Sequence, residues 1–277
     1  MLMGSAQNVI GHDPELVRHF AVAHNGAYQH CDIDLLMAST SPRGGIWAGL
    51  LPPDNFVVNE TPEDVARDYV ELISQFKVLP PRIFSLFATD WYTVFEVGSE
   101  MIHLESGQVF PNQAVCLFGN DELGTAVDMA WPFQPGAVRP ARGQQGAARS
   151  ELIDLDAQEQ RIDGWRKGSV ELAAQGIAEK GIFFLPVFDQ ADPRRAIAVT
   201  GRTGYEAWLV QLFDLYRPIE IRLVNNNIGD RHAFSETRWT VEARSNGATV
   251  AFRYALVEIL DEAGLVSGML GYATLLD

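Results

Sequence analysis

The chain has 277 residues, of which 47% are hydrophobic and 21% charged, and it carries a formal net charge of -15 with a pI near 4.8. A surface this acidic repels phosphate backbones and anionic lipid, so nucleic acid is not an expected partner. Cys31 and Cys116 form neither a CxxC nor a spaced framework, and they read as reduced thiols of a cytoplasmic protein. The first fifteen residues lack a basic segment followed by an apolar core, and no apolar run reaches the length of a membrane span, so neither a signal peptide nor a membrane partner is expected.

In chain order, "PELVRHFAVAHNGAYQH" has apolar residues at helical spacing, with Asp13 as a cap and Pro14 at the first helical position. "TPEDVARDYVELISQF" predicts a second amphipathic helix, capped by Thr61, with acidic residues in its first turn. Strands follow at "RIFSLFATDWYTVFEV", "EMIHLES" and "QAVCLFGNDELGTAVDMAWPF", the last folded at "GNDELG". The stretch Gln134 to Ser150 is rich in Gly, Ala, Arg and Gln without apolar periodicity, and it reads as a linker.

Beyond it the order repeats. "DAQEQRIDGWRKGSVELAAQGIAEKG" reads as helical, and "GYEAWLVQLFDLY" as a helix stopped at Pro218. Four strands follow: "IEIRLVNNN", "HAFSETRWTVEAR", "TVAFRYALVEILD" and "LVSGMLGYATLLD". Helices followed by a meander, twice over, predict an α+β chain of two tandem domains, 1-135 and 151-277, joined by a linker at 136-150.

Three stretches carry a family likeness. "GAYQHCDIDLLMA" resembles the end of the first helix in the nuclear-transport-factor-2-like superfamily, where a helix runs into an Asp-hydrophobic-Asp loop, here Asp32, Ile33 and Asp34. "NNNIGDRHAFSETRWTVEA" is similar to that fold's strand-turn-strand, with Gly229, Asp230, Arg231 and Ala233 at the turn. "FRYALVEILDEAGLVSGMLGYATLLD" is similar to the last two strands of SnoaL-like polyketide cyclases and scytalone dehydratase. The resemblance implies two cone-shaped barrels, each a bent antiparallel sheet wrapped around helices, forming a pseudo-dimer within the chain and allowing a homo-oligomer. It also implies enzymes that work without a cofactor.

The candidate site residues divide between the halves. His24 and Tyr28 stand four apart on one helix face with Phe20, where a histidine moves protons and a tyrosine donates to a substrate oxygen. The resemblance puts Tyr28 where scytalone dehydratase-like proteins keep a pocket tyrosine. Either residue could equally be a satisfied core group. Asp90 is a candidate base or a turn residue, and His103 a further proton carrier. Tyr92 shares the face of Asp90 by alternation, and Trp47 is a candidate aromatic wall. In the second half Asn225, Asn227 and His232 read as substrate-binding or as parts of a solvated hairpin, while Asn226 reads as solvated. The absence of HExxH, Cys/His clusters, phosphate loops and GxSxG leads to an expectation of no metal and no cofactor.

The expected partner is therefore an aromatic or polycyclic small molecule. The expected activity is a cofactor-free lyase. One specific case is the group that deformylates lignin-derived diarylpropane diols to stilbenes and formaldehyde. A dehydratase, a polyketide cyclase, a ketosteroid-type isomerase and a non-catalytic binding module are the alternatives. The second half lacks a histidine or tyrosine in "AAQGIAEKGIFF", which points to a working pocket in the first.

Overall fold

The computed structural model describes residues 14-50, 55-59, 61-121, 124-132, 155-188, 196-229 and 232-276. The chain divides into two compact units, Met1–Arg139 and Pro140–Asp277. The expected linker at 136-150, the Asp13 cap and the turn residues Asp230 and Arg231 lie outside the described residues.

Unit 1 opens with α1 (Pro14–His30). Cys31 ends it in the left-handed region at φ 55, and Asp32 then caps α2 (Ile33–Ala38) by accepting from the Leu35 N–H at 2.9 Å. β1 (Thr40–Leu50) and β2 (Asn55–Asn59) follow. Thr61 caps α3 (Pro62–Gln75) through the Asp64 N–H, as its sequence requires, and Val65 and Tyr69 lie on the helix's buried face. The strands β3 (Phe76–Val78), β4 (Arg82–Ala88), β5 (Tyr92–His103), β6 (Val109–Asp121) and β7 (Gly124–Pro132) complete one sheet in the order β2-β1-β7-β6-β5-β3, with β4 also on β5.

Unit 2 has α4 (Leu155–Lys167), α5 (Val170–Ala173), β8 (Ile177–Pro186), β9 (Ala196–Thr200) and α6 (Gly201–Leu215). Then come β10 (Tyr216–Ile228), β11 (His232–Ala243), β12 (Thr249–Leu260) and β13 (Val266–Leu275), in the order β10-β11-β12-β13-β8-β9. Read from β9 backwards, this is the strand order of unit 1. Each sheet is antiparallel except for one parallel pair, β1 on β7 and β8 on β13. One of the two sheets curls into a half-barrel. The α+β class with two sheets, each accompanied by its own helices, is the architecture expected.

Two features differ from the expected elements. The run "RIFSLFATDWYTVFEV" is two strands around a turn at residues 89-91, and "EMIHLES" continues the second of them. The strand corresponding to β10 is broken into β3 and β4 at Leu79-Pro80-Pro81, because two prolines remove ladder donors. In unit 2 the expected long helix stops at Gly168, whose φ of +61 favours glycine, and residues from Ile177 are strand.

The alternation expected for β5 does not leave one face in water, since Tyr92 through Val97 are all buried. Strand register still separates the faces. Thr93 pairs with Phe118 and Phe118 with Asp128, so these three share one face, while Tyr92 shares the opposite face with its partner Gly119. Phe95, Val97, Ala114, Cys116 and Phe118 make a core cluster on the Asp128 face.

Candidate active site

Three side chains of unit 1 converge on one carboxylate oxygen. Asp128, on β7, accepts from the Tyr69 hydroxyl at 3.1 Å and from the Tyr28 hydroxyl at 3.4 Å, both at Oδ2. His24 Nε2 lies 3.4 Å from the same oxygen and 3.3 Å from the Tyr69 hydroxyl. The rings of His24, Tyr28 and Tyr69 meet edge to face, with centroids 5.3-6.0 Å apart. Phe118 closes against His24 at 5.2 Å.

The histidine's tautomer follows from its other side. The Ser39 hydroxyl gives its single proton to the Leu36 carbonyl at 2.5 Å, so its oxygen accepts from His24 Nδ1–H at 2.9 Å. A neutral His24 therefore turns a bare Nε2 toward Asp128. Two lone pairs facing one another are unfavourable unless a proton lies between them. The Tyr69 hydroxyl, 3.1 Å from Oδ2 and 3.3 Å from Nε2, is placed to turn its proton to either atom.

Burial, then the neighbouring tyrosine and the Asp128 charge, push the Tyr28 hydroxyl well above its ordinary pKa. Burial and then the Asp128 charge do the same to Tyr69 and to the Cys116 thiol. Both phenols remain donors throughout the neutral range. His24 is 1% exposed and Tyr69 2%, whereas Tyr28 is only half-buried and Asp128 keeps 7%. Tyr28 is strongly desolvated and yet retains accessible surface.

His24 and Tyr28 are thus brought together, and the structure adds Tyr69 and Asp128. Both additions had a signal. Tyr69 sits one turn after Val65 on the buried face of α3, and "TAVDMAWPF" sets an aspartate among apolar residues of a strand. The other candidates stand elsewhere. Asp90 lies half-buried in the turn between β4 and β5. His103 ends β5, ten residues from the row that holds Asp128, roughly 30 Å of strand. Its Nδ1 bonds the Ser106 hydroxyl at 2.8 Å in an exposed turn. Tyr92 is fully buried on the sheet face opposite Asp128, against Trp91 at 4.7 Å. Trp47 lies in β1, and its side chain is outside the described residues.

Asn225, Asn227 and His232 belong to unit 2. Asn225 is half-buried opposite Glu236, and Asn227 is exposed opposite Phe234. His232 is buried at the start of β11 against Gly229, where an added Cβ would collide with its ring. Asn226 is exposed, in keeping with its solvated reading, and its amide donates to Gln158 Oε1 at 3.1 Å.

That bond ends a second buried polar set. Arg161 clamps Glu258 with Nε to Oε1 at 2.8 Å and Nη2 to Oε2 at 2.7 Å, and Gln158 adds a bond to Glu258 at 3.3 Å. Arg161 stands where His24 does, seven residues before the left-handed residue ending its helix, Gly168 in place of Cys31. Trp165 takes the place of Tyr28. Glu258 takes the place of Phe118, the strand partner of Asp128, whose own place is held by Met269. The residues matching His24 and Tyr28 are therefore on α4, not in "AAQGIAEKGIFF". Unit 2 has exchanged proton-moving groups for a fixed ion pair.

Among the described residues no group of His, Cys, Asp or Glu could hold a metal ion, and no helix is long and apolar enough to cross a membrane. No family model matches the chain, and no curated protein matches it. The chain is similar to several solved structures. One is a hypothetical protein with a ketosteroid isomerase-like fold from Catenulispora acidiphila, at 10% identity and TM-score 0.37, covering 43% of this chain and 86% of that one. Another is a ketosteroid isomerase-like protein from Erwinia carotovora atroseptica, at 17% identity and TM-score 0.35, covering 48% and 99%. A third is an LEH-like epoxide hydrolase from M. tuberculosis, at 12% identity and TM-score 0.35, covering 42% and 80%.

Proposed function

We propose that unit 1 is a cofactor-independent acid–base lyase acting on an oxygenated aromatic small molecule. The observation that carries this reading is the sharing of Asp128 Oδ2 by His24, Tyr28 and Tyr69. Tyr28 and Asp128 keep accessible surface, so they meet the substrate. His24 and Tyr69 stand behind them and orient the carboxylate.

In an elimination, Asp128 takes the proton from the carbon beside the one bearing oxygen. The C–H pair becomes the new double bond, the C–O bond breaks, and the departing oxygen leaves as water with the Tyr28 proton. The proton on Asp128 then returns to the Tyr28 oxygen, 3.4 Å away, and the site is restored. The specific case we favour is a 1,2-diarylpropane-1,3-diol with a para-phenol. The para-phenol gives up its proton as the benzylic hydroxyl leaves as water, which forms a quinone methide. The base then takes the primary alcohol's O–H proton, formaldehyde leaves, the C–C bonding pair becomes the alkene, and the quinone methide collapses to a phenolate that is reprotonated, giving the stilbene.

The purified chain is incubated with such a diol while stilbene absorbance and formaldehyde are followed. Both products are expected, and both should be lost in Asp128→Asn. Water loss alone would move the reading to a dehydratase. Equal turnover by Asp128→Asn would refute it.

A further inference from the structure

The two units share strand order and register, so unit 2 shows what can occupy the matching space in unit 1. Trp239 and Phe252 are cross-strand partners in unit 2, and their counterparts, also partners, are Ser99 and Asn112. Tyr254 corresponds to Ala114, and Leu256 to Cys116. On the helix, Trp208 stands eight residues before the cap Tyr216, and Asp68 eight before the cap Phe76. At all five places a large apolar or aromatic side chain of unit 2 is a small or polar one in unit 1.

In unit 2 these rings fill the space. Trp239 stacks on Phe252 with centroids 5.3 Å apart, Trp165 lies 5.9 Å from Tyr254, and all belong to one continuous core. The rings also have a direction. The Tyr254 hydroxyl feels the charge of Glu258, which raises its pKa after burial and Tyr205 have done so. That hydroxyl lies against Gly271, where an added Cβ would sit 2.8 Å from it, so unit 2 fills this place with a phenol of its own. In unit 1 the carboxylate is present as Asp128, with the donor Tyr28 beside it, but the phenol is missing, because Ala114 stands in the place of Tyr254.

From this comparison we infer that unit 1 is hollow where unit 2 is filled, and that the hollow takes a two-ring phenol whose hydroxyl or adjoining oxygen points to Tyr28 and Asp128. The inference rests on the reading of unit 1 as the working unit, and it names the class of molecule admitted. The ring of such a guest takes the place of Tyr254, and its second ring that of the Trp239–Phe252 pair. Ala130 stands where unit 2 has Gly271, the residue whose missing Cβ makes room for the Tyr254 hydroxyl. The guest's oxygen therefore sits short of β7, on the Tyr28 side. Unit 2, in contrast, is closed to ligands and serves as a folded support.

The test is binding of 2-naphthol to the full chain by calorimetry, with naphthalene as the probe lacking the hydroxyl. Wild type should bind 2-naphthol, and bind naphthalene at least about tenfold more weakly. Ala114→Tyr, which restores the side chain of unit 2, should abolish binding. Cys116→Leu, a milder filling, should weaken it about tenfold or more and keeps the test alive if Ala114→Tyr does not fold. Absence of 2-naphthol binding to wild type, or binding unchanged in a folded filled variant, overturns the inference. A chain that binds 2-naphthol in this way and catalyses nothing keeps the hollow and refutes the lyase reading. Turnover that survives Ala114→Tyr refutes the hollow alone.

Discussion

Arg161→Met is expected to destabilise unit 2 by about 3-4 kcal/mol at neutral pH, and the penalty should shrink as the pH falls. The pair is nearly dry, with side-chain exposures of 5% for Arg161 and 1% for Glu258. Methionine fills much of the arginine's volume, so the loss is mainly electrostatic. Glu258 would keep only the Gln158 bond at 3.3 Å. An unpaired buried carboxylate has an escape, which is to take up a proton. The cost of that step caps the penalty. For an ordinary glutamic acid with a pKa near 4.3, protonation costs about 3.7 kcal/mol at pH 7 and about 1 kcal/mol at pH 5. The sign follows from linkage: in the variant the folded chain binds a proton that the unfolded chain does not, so acid stabilises the folded state relative to the parent. The assay is urea unfolding of the full chain at pH 7 and pH 5, followed by tryptophan fluorescence, with Glu258→Gln and the double variant completing a cycle. Thermal melts at pH 7 should fall by roughly 10 °C. A loss below about 1 kcal/mol at pH 7, or one that does not change with pH, would refute the claim that this clamp is what holds α4 to β12.

Asp128→Asn should lower turnover on the accepted substrate by about two to four orders of magnitude, and Tyr28→Phe by about two, each with native circular dichroism. Tyr28, Tyr69, Tyr205 and Tyr254 all have raised pKa values, so their phenolate absorbance should appear only well above pH 10 and together with unfolding. Their contribution to stability is complete below the unfolded pKa near 10 and is lost as the pH rises through the higher folded values. Cys31→Gly should raise the thermal midpoint, because relief of the left-handed φ of 55 is worth about 1-2 kcal/mol, against about 0.4-1 kcal/mol of added unfolded-chain entropy.

The parts of this fold that repeat or cap were legible in the sequence. Thr61 and Pro62 announce α3, the four-residue spacing of His24 and Tyr28 puts them on one face, and the parallel order of elements betrays two units. What was not legible depends on contacts far apart in the chain. Asp128 lies 100 residues beyond Tyr28 and 59 beyond Tyr69, and only sheet register shows that it turns inward beside Phe118. Arg161 in "DAQEQRIDGWRK" looks like one charge on a solvated face, because its partner Glu258 lies 97 residues downstream. The bond from the exposed Asn226 was hidden for the same reason: its partner Gln158 is on a helix 68 residues earlier. Asp90 and His103 drew attention by residue type alone, and type does not say which end of a strand a side chain occupies.

The same helix position, one turn before the final turn, carries His24 in one unit and Arg161 in the other, and this pair of choices argues for a division of labour. Histidine gives and takes a proton near neutrality, while arginine does not. Around His24 lie three hydroxyls: Ser39 accepts from it, Tyr69 lies within reach of both its Nε2 and Asp128, and Tyr28 donates to Asp128. Around Arg161 the matching position to Ser39 is Gly176, where a Cβ would come within 3.3 Å of the guanidinium. The arginine therefore needs that side chain removed in order to lie flat against Glu258. One arrangement keeps its polar atoms exchangeable and its neighbours small, as a chemical site requires. The other locks them and packs aromatic rings over them, which favours stability at the expense of access. Under the proposed lyase reading, this difference assigns the chemistry to unit 1 and a stabilising role to unit 2.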